Sequence, residues 1–202
     1  TEDSDAIEAA IEAAKNFGKV LYFPNGTYKL RRSIQLWNNA VIDGNNGAVL
    51  THKAVDGNGC IMTTLSSATV IGDTTISVSS VAGLSVGDEI VIYDTTSGLS
   101  SYQETMCKIT AINGNTLTID ATQWHGSVGV RRAYPVANTR ITTDFALIHT
   151  PWVDGAHNCV IRNITLQANG NNNEPYVYSQ SPIHIHSNNA YDISIKNIVV
   201  DG

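Results

Sequence analysis

The stretches NCVIRNITLQA (residues 158–168) and DISIKNIVVDG (residues 192–202) repeat one pattern of apolar and polar residues, 34 positions apart. The matched pairs are Ile161 with Ile195, Arg162 with Lys196, Asn163 with Asn197, Ile164 with Ile198, and Leu166 with Val200. Short strands that recur at a period of tens of residues are typical of a solenoid. Asparagines at fixed places suit tight turns and, if they stack, a ladder of side-chain hydrogen bonds. The alternation would also fit a sandwich, but the recurrence favours a solenoid.

The N-terminal stretch DSDAIEAAIEAAKNFG (residues 3–18) predicts the one clear helix of the chain. Ser4 or Asp5 can cap its start, and Gly18 supplies a left-handed stop. Its apolar stripe at helical spacing comprises Ala6, Ile7, Ala10, Ile11 and Ala14. KVLYFPNGTYKL (residues 19–30) and AVIDGNNGAVL (residues 40–50) then each predict a strand, a tight turn and a second strand.

Residues 65–123 have a different pattern of predicted strands. TTISVSS, GDEIVIYD, ETMCKITAI and NTLTID are short alternating strands, and Asn113-Gly114 is a strong hairpin turn. They predict a compact antiparallel β module, either a binding module or a structural insert. The predicted domains are therefore residues 1–64, with the helix and first rungs, the insert at 65–123, and further rungs at 124–202.

Composition excludes several classes of function. Charged residues make up 15% of the chain and the net charge is −6, which gives no electrostatic reason to expect nucleic acid. No apolar run approaches the ~18–20 residues that a membrane-spanning helix needs, so no membrane insertion is expected. Three widely spaced cysteines offer neither a disulfide framework nor a metal knuckle.

The N-terminal helix followed by LYFPNGTY, together with the later NITL and NIVVDG rungs, resembles the pectate-lyase-like superfamily of right-handed parallel β-helix proteins. The resemblance implies an all-β fold, a right-handed parallel β-helix (solenoid) with an N-terminal capping α-helix and a small inserted antiparallel β module. Members include polygalacturonases, pectate and alginate lyases, uronate epimerases and phage tail spikes. The insert resembles segments common in phage β-helix proteins, which favours a tail spike or appendage at the virion surface or in the extracellular space.

Two departures from that superfamily matter. Its motif normally opens with a strand before Thr1, and its rungs continue past Gly202, so the resemblance implies a piece of a longer protein. The segment SQSPI (residues 179–183) has Ser181 where polygalacturonases carry an aspartate, and their Asp-Asp and Gly-His-Gly motifs are missing. A polygalacturonase mechanism therefore does not carry over.

The stretch SPIHIHSNNAYDISIKN (residues 181–197) places two histidines on one side of a predicted strand. Ile183 and Ile185 would point inward and His184 and His186 outward, because successive side chains alternate between faces. Aligning ALIHT (residues 146–150) with IHIHS (residues 183–187) would stack His149 beside His186. Imidazoles on one face can contact substrate, share acid–base work or bind a metal. No further ligand has suitable local spacing, so no metal ligand is assigned.

Two loops supply the other candidate side chains. The loop NGNNNEPYVYSQS (residues 169–181) interrupts the repeat and would overhang the groove, with one carboxylate and two tyrosines that could stack on sugars. PWVDGAHN (residues 151–158) places a carboxylate beside an aromatic, although Asp-Gly is also common turn chemistry, which is the favoured interpretation. The catalytic candidates are His184, His186, Glu174 and Asp154, and the substrate-binding candidates are His149, Trp152, His157, Tyr176 and Tyr178.

The predicted function is to bind or degrade a polysaccharide or cell-surface glycan, as a glycoside hydrolase or polysaccharide lyase. No cofactor is expected, except calcium if the protein is a lyase. The alternatives are a non-catalytic structural or receptor-binding segment of a virion, for which a homotrimer is expected, and a cellular uronate lyase or epimerase.

Overall fold

The computed structural model describes residues 3–52, 60–96, 104–151, 154–167, 181–185 and 189–201. Within them the chain is mostly β, and it divides into two compact units. Unit 1 comprises the described residues within 1–53, 146–169 and 182–202, and unit 2 comprises those within 54–145 and residue 181. Among the described residues, no helix has the length and apolar character needed to cross a membrane.

The elements follow one another in chain order. Unit 1 begins with α1 (Ser4–Phe17), β1 (Leu21–Tyr22), β2 (Gly26–Leu30), β3 (Ile34–Gln35) and β4 (Val41–His52). Unit 2 contains β5 (Met62–Thr64), β6 (Thr75–Ser77), β7 (Glu89–Asp94), β8 (Glu104–Asn113), β9 (Thr116–Asp120), α2 (Thr122–His125) and β10 (Thr139–Thr142). Unit 1 resumes with β11 (Ile148–His149), β12 (His157–Gln167), β13 (Ile183–His184) and β14 (Tyr191–Asp201).

Helix α1 forms where the sequence predicts it, but its buried stripe is narrower. Ile7, Ile11 and Ala14 are buried together with Ser4, whereas the predicted stripe residues Ala6 and Ala10 are exposed. Ser4 is the first residue of the helix, and its Oγ accepts the backbone N–H of Arg31 at 2.8 Å. The residue before the helix is Asp3, so the prediction of Ser4 or Asp5 as the cap is wrong. Gly18 ends the helix at a φ of 59°, as predicted.

The strands of unit 1 form two parallel sheets. One has the order β1-β4-β12-β14, with β2 also paired to β4, and the other has the order β13-β11-β3. The repeat predicted from the sequence is confirmed, because β12 and β14 pair in the 34-residue register. The partners are Ile161 with Ile195, Arg162 with Lys196, Ile164 with Ile198, and Leu166 with Val200.

Apolar ladders line one side of these strands. Ile42 pairs with Ile161 and Leu50 with Leu166, and all four are fully buried. Their neighbours on β14 are much more exposed, and Ile195 keeps 46% of its surface. The reason is that β14 pairs with β12 on one side and with no other described strand.

Asparagines bend the strands at fixed steps of the repeat. Asn39, Asn158 and Asp192 occupy equivalent positions of the repeat, the first asparagine step, and have φ values of 64°, 56° and 52°. Asn163 and Asn197 occupy another such position, the second asparagine step, with φ values of 57° and 50°. Asparagine and aspartate tolerate this left-handed region better than other residues with a side chain. The predicted ladder of side chains is confirmed at the second step, where Asn197 Nδ2 donates to Asn163 Oδ1 at 3.0 Å.

Unit 2 is an antiparallel sheet of six described strands in the order β5-β10-β7-β8-β9-β6. A bridge between Leu65 and Val78, the residues directly after β5 and β6, links the two ends of this strand order around an apolar core. The predicted hairpin at Asn113-Gly114 connects β8 and β9. The unit is larger than the insert predicted at 65–123, because β5 and β10, outside that range, pair with each other and β10 pairs with β7.

Candidate functional site

The histidine face differs from the one that the sequence predicted. His149 pairs with His184, not with His186, because Ile148 is the partner of Ile183 and the alignment of the two stretches was wrong by two residues. His149 is 4% exposed, so its assignment to a solvated face is also wrong. Ile185, expected inside, is 39% exposed.

His149 is buried, and its contacts are those of a structural residue. Its Nδ1 lies 2.7 Å from the carbonyl oxygen of Thr150, so in the neutral ring Nδ1 is the protonated nitrogen that donates. Burial lowers the pKa of His149 to about 4, the carbonyl of Thr150 opposes that shift, and nearby His184 adds to it. His149 is therefore neutral at physiological pH and does not lie at the surface where a polymer could touch it. His184, beside it in the sheet, is half-buried.

Five of the predicted site residues lie outside the described residues: Trp152, Glu174, Tyr176, Tyr178 and His186. Asp154 is exposed in a turn that Gly155 closes with a φ of 64°, which agrees with the turn interpretation of PWVDGAHN. Of the two predicted catalytic carboxylates, Asp154 alone lies within the described residues.

A different set of side chains does come together, at the start of β12 and β14. We call it the aromatic corner, and its residues are Asn38, Asn39, His157, Asn158, Tyr191 and Asp192. Three successive levels of the repeat each contribute two adjacent residues, and the second residue of each pair is left-handed. This bend turns the side chains of the corner outward: five of its six residues are exposed and His157 is half-buried.

The rings of His157 and Tyr191 stack in register. Their centroids lie 4.8 Å apart with an interplanar angle of 10°, and the two residues are strand partners. His157 is held from the backbone, because its N–H donates to Asn38 Oδ1 at 3.3 Å and its carbonyl accepts the N–H of Asn39 at 2.8 Å. Tyr191 is 55% exposed, in part because β14 has no other described strand beside it. Stacked rings on a rigid sheet form a flat apolar platform, which suits the C–H face of a sugar.

Polar groups flank this platform with unused hydrogen-bonding capacity. Asn158 Nδ2 donates to Asn39 Oδ1 at 3.3 Å, but no hydrogen bond joins Asn158 to Asp192 among the described residues. The Nδ1 atom of His157 is buried without a partner in the described part of the chain. The corner therefore combines an aromatic surface with the exposed oxygens of Asn158 and Asp192, which a ligand could reach, whereas the buried Nδ1 of His157 is closed to it.

The second asparagine step, by contrast, is internally satisfied. Asp43 Oδ2 accepts from Arg162 Nε at 2.8 Å, and Asp43 Oδ1 accepts from Asn163 Nδ2 at 3.1 Å and from the backbone N–H of Asn45 at 3.0 Å. The N–H of Asn45 lowers the pKa of Asp43 most, followed by the Asn163 amide and the Arg162 guanidinium. With its hydrogen bonds made internally, this step stabilises the bend and offers a ligand little.

Unit 2 contains a buried acid, Asp144, whose pKa is raised. Burial raises the pKa of Asp144 to about 7, and the Cys60 thiol opposes that shift by hydrogen bonding to the carboxyl group. The adjacent backbone is fixed by Thr143, whose N–H donates to the Ile61 carbonyl at 3.0 Å and whose Oγ1 accepts the Ile61 N–H at 2.9 Å. Asp144 is buried, so its carboxyl group is not presented to a polymer.

The sequence analysis found His157 but missed Tyr191 and Asn38. The missed signal was available, since extending the 34-residue alignment by one position pairs His157 with Tyr191. The alignment of the corner with Asn38 could not be read in the same way, because 119 positions separate Asn38 and His157.

Of the comparisons with known proteins, the family model identifies the class of the chain. A family model described as "Rhamnogalacturonase A/epimerase, pectate lyase-like" matches residues 1–202. The chain matches no curated protein sequence.

Similar solved structures include three tailspikes. One is the gp54 tailspike of Acinetobacter baumannii bacteriophage AP22 in complex with A. baumannii capsular saccharide, at 15% identity and a TM-score of 0.34, over 83% of this chain and 32% of that one. The tailspike gp61 of Pseudomonas phage phi297 is 17% identical with a TM-score of 0.37, over 77% and 29%. The tailspike gp49 of Pseudomonas phage LKA1 is 22% identical with a TM-score of 0.34, over 79% and 31%. The chain thus spans about a third of the length of these proteins.

Proposed function

Since the chain belongs to the pectate-lyase-like family of rhamnogalacturonase A and epimerases, we propose that unit 1 is a segment of right-handed parallel β-helix that binds a polysaccharide. Its parallel sheets support this fold, because coils of such a solenoid repeat their side chains at a spacing of about 4.8 Å. A surface that repeats from strand to strand matches a ligand that repeats from sugar to sugar.

The observation that carries the proposal is the aromatic corner. His157 and Tyr191 stack in register on adjacent strands, and exposed amides and a carboxylate lie beside them. An aromatic platform with a few placed polar groups is the usual composition of a carbohydrate contact. The strands hold these groups in place, so binding requires little ordering of side chains.

Cleavage of the bound polymer is the second part of the proposal. Hydrolysis requires two carboxyl groups, about 5–5.5 Å apart for retention or 6.5–9.5 Å for inversion. Lyase chemistry requires a base and a cation that neutralises the uronate. Asp154 and His184 stay candidates for such roles together with Glu174 and His186, which lie outside the described residues. Calcium would be needed only in the lyase case.

The proposed setting is a phage tail spike or appendage, at the virion surface or in the extracellular space and assembled as a homotrimer. This rests on the likeness of the unit 2 sequence to segments of phage β-helix proteins. The rival without catalysis is a structural or receptor-binding segment, and the rival with catalysis is a cellular uronate lyase or epimerase.

A degradation assay separates these outcomes. The chain is incubated with neutral and acidic polysaccharides, with and without calcium, and polymer length and unsaturated uronates are followed together. Shortened polymer without new double bonds indicates a hydrolase, and unsaturated ends that depend on calcium indicate a lyase. Retention of the chain on an immobilised polymer without shortening leaves a binding segment, and no retention on any polymer would refute the proposed function.

A further inference from the structure

Unit 2 carries its arginines in a stretch of the chain without acidic residues. Residues 121–143 contain Arg131, Arg132 and Arg140 but no aspartate or glutamate. The arginines of unit 1, in contrast, all pair with carboxylates at 2.6–2.8 Å: Arg31 and Arg32 with Asp5, and Arg162 with Asp43. Unit 2 therefore has positive charge for which its neighbours along the chain supply no counter-ion.

The side chain of Arg132 is half-buried and has no hydrogen-bonding or ion-pair partner in the described part of the chain. Its Nη1 atom is buried, so one side of the guanidinium packs against the protein. Among the described residues Nη1 is its only nitrogen buried without a partner, so Nε and Nη2 reach solvent. These two nitrogens form the edge with which arginine donates two parallel hydrogen bonds to a carboxylate.

The backbone on both sides of Arg132 is fixed to the rest of unit 2. The N–H of Arg131 donates to Thr105 Oγ1 at 3.0 Å, and the Tyr134 hydroxyl lies 2.8 Å from the same oxygen. The N–H of Tyr134 donates to Thr69 Oγ1 at 3.1 Å, and its carbonyl accepts the N–H of Thr69 at 3.1 Å. The arginine therefore projects from an ordered segment, and a ligand would have to order little besides the side chain.

No carboxylate of the described residues occupies the open edge of Arg132. Burial raises the pKa of Tyr134, the guanidinium of Arg132 lowers it and Glu104 raises it, so both charges lie near the Tyr134 hydroxyl. Glu104 is nevertheless only 2% exposed and forms no ion pair with Arg132. A partly desolvated charge without a counter-ion is unfavourable, and an oxyanion of a ligand would compensate it.

We propose that Arg132 binds an oxyanion of the polysaccharide, the carboxylate of an acidic sugar, through Nε and Nη2. The planar fork of arginine matches a carboxylate, and inorganic sulfate or phosphate shares this chemistry. The inference gives unit 2 a binding function. It rests on the proposed function in taking the ligand to be a polysaccharide, and it extends that function by naming an acidic sugar and the residue that contacts it.

The test follows the Nε–Hε signals of the six arginines by nuclear magnetic resonance. The chain is titrated with hexagalacturonate, neutral galactohexaose and sodium sulfate, at one ionic strength because salt screens charges. The signal of Arg132, identified by its loss in Arg132→Lys, is expected to shift and saturate with hexagalacturonate. Sulfate shifts it only at higher concentration, and galactohexaose does not shift it. The signal of Arg162 stays in place, because its Nε already donates to Asp43.

Three variants separate binding from folding. Arg132→Lys weakens hexagalacturonate binding about tenfold in calorimetry, because an ammonium group lacks the paired donors. Arg140→Lys is the matched control and keeps the wild-type affinity, since Arg140 is also half-buried in the acid-free stretch but its Nη1 donates to the Thr139 carbonyl at 3.4 Å. Arg132→Met keeps the apolar stem and loses no contact of the guanidinium, so the urea midpoint for exchange of residues 139–145 does not fall.

An Arg132 signal that hexagalacturonate leaves in place, or a lower midpoint in Arg132→Met, would overturn this inference while retention on a polymer keeps the proposed function. A shift with sulfate at the same concentration as with hexagalacturonate would indicate a site for inorganic anions and overturn the assignment to a sugar. No shift, together with no retention on any polysaccharide, would overturn both.

Discussion

Replacing Asn163 tests whether the asparagine ladder holds the parallel strands of unit 1 together. Asn163 has a φ of 57°, its Nδ2 donates to Asp43 Oδ1 at 3.1 Å, and its Oδ1 accepts from Asn197 Nδ2 at 3.0 Å. Asn163→Gly keeps the left-handed backbone and removes both hydrogen bonds. Asn163→Ala removes the same bonds and also forces a Cβ into that backbone region.

The magnitudes follow from these contacts. A hydrogen bond to a carboxylate contributes about 1.5–3 kcal/mol and a neutral one about 1 kcal/mol, and partial exposure to water reduces both. Asn163→Gly should therefore lower the free energy of unfolding of unit 1 by about 2 kcal/mol. Asn163→Ala should cost about 1 kcal/mol more, because an L residue with a side chain is strained at this φ.

The assay is hydrogen exchange of peptides spanning residues 157–167 at increasing urea, which reports on unit 1 without assuming that both units unfold together. Asn158→Gly is the control, because that side chain donates a single neutral bond, of 3.3 Å, and should cost only about 0.5 kcal/mol. The reasoning is refuted if Asn163→Gly unfolds like the wild type, or if the Gly and Ala variants are equally destabilised.

Three further predictions concern buried positions. Gly44→Ala should destabilise unit 1 by about 1–3 kcal/mol, measured by the same exchange, because a Cβ there would lie 2.6 Å from the backbone oxygen of Asn163; an unchanged protein would contradict the packing. The pKa of His149 is about 4 when folded and about 6.5 when unfolded, so unit 1 should lose roughly 2 kcal/mol between pH 8 and pH 5, and His149→Asn should flatten that slope. The pKa of Asp144 is raised from 3.8 to about 7, so unit 2 should lose stability as pH rises through that window; exchange of peptides spanning residues 139–145 would show it, and Asp144→Asn should remove it.

The sequence predicted those parts of the fold in which a local pattern and a repeat agree. The pairing of β12 with β14 follows from matched residues 34 positions apart, and the hairpin at Asn113-Gly114 follows from turn chemistry. Each of these signals lies within one stretch or between two similar stretches. Neither requires knowledge of what covers the strand.

The histidine face was mispredicted for the opposite reason. Alternation along β11 and β13 puts His149 and His184 on one side, but whether that side meets water depends on packing that the strand itself does not encode. The register also depended on five-residue stretches, and a shift of two residues preserves the alternation, so the pattern could not exclude it.

The aromatic corner illustrates the same limit for a site. His157 was identified as an aromatic candidate beside Asp154, but its stacking partner Tyr191 became visible only when the register was extended to the first residue of each strand. The side-chain hydrogen bond between Asn163 and Asn197 has no counterpart between Asn158 and Asp192 among the described residues. This difference is found only by comparing two steps of one repeat, which no single motif contains.

The most direct test of the account is hydrogen-exchange footprinting of the chain with and without the polysaccharide that retains it. The account predicts slower exchange in peptides containing residues 157–160 and 191–194, and no change in those covering residues 104–120 of unit 2. Protection confined to unit 2, with the aromatic corner unaffected, would contradict it.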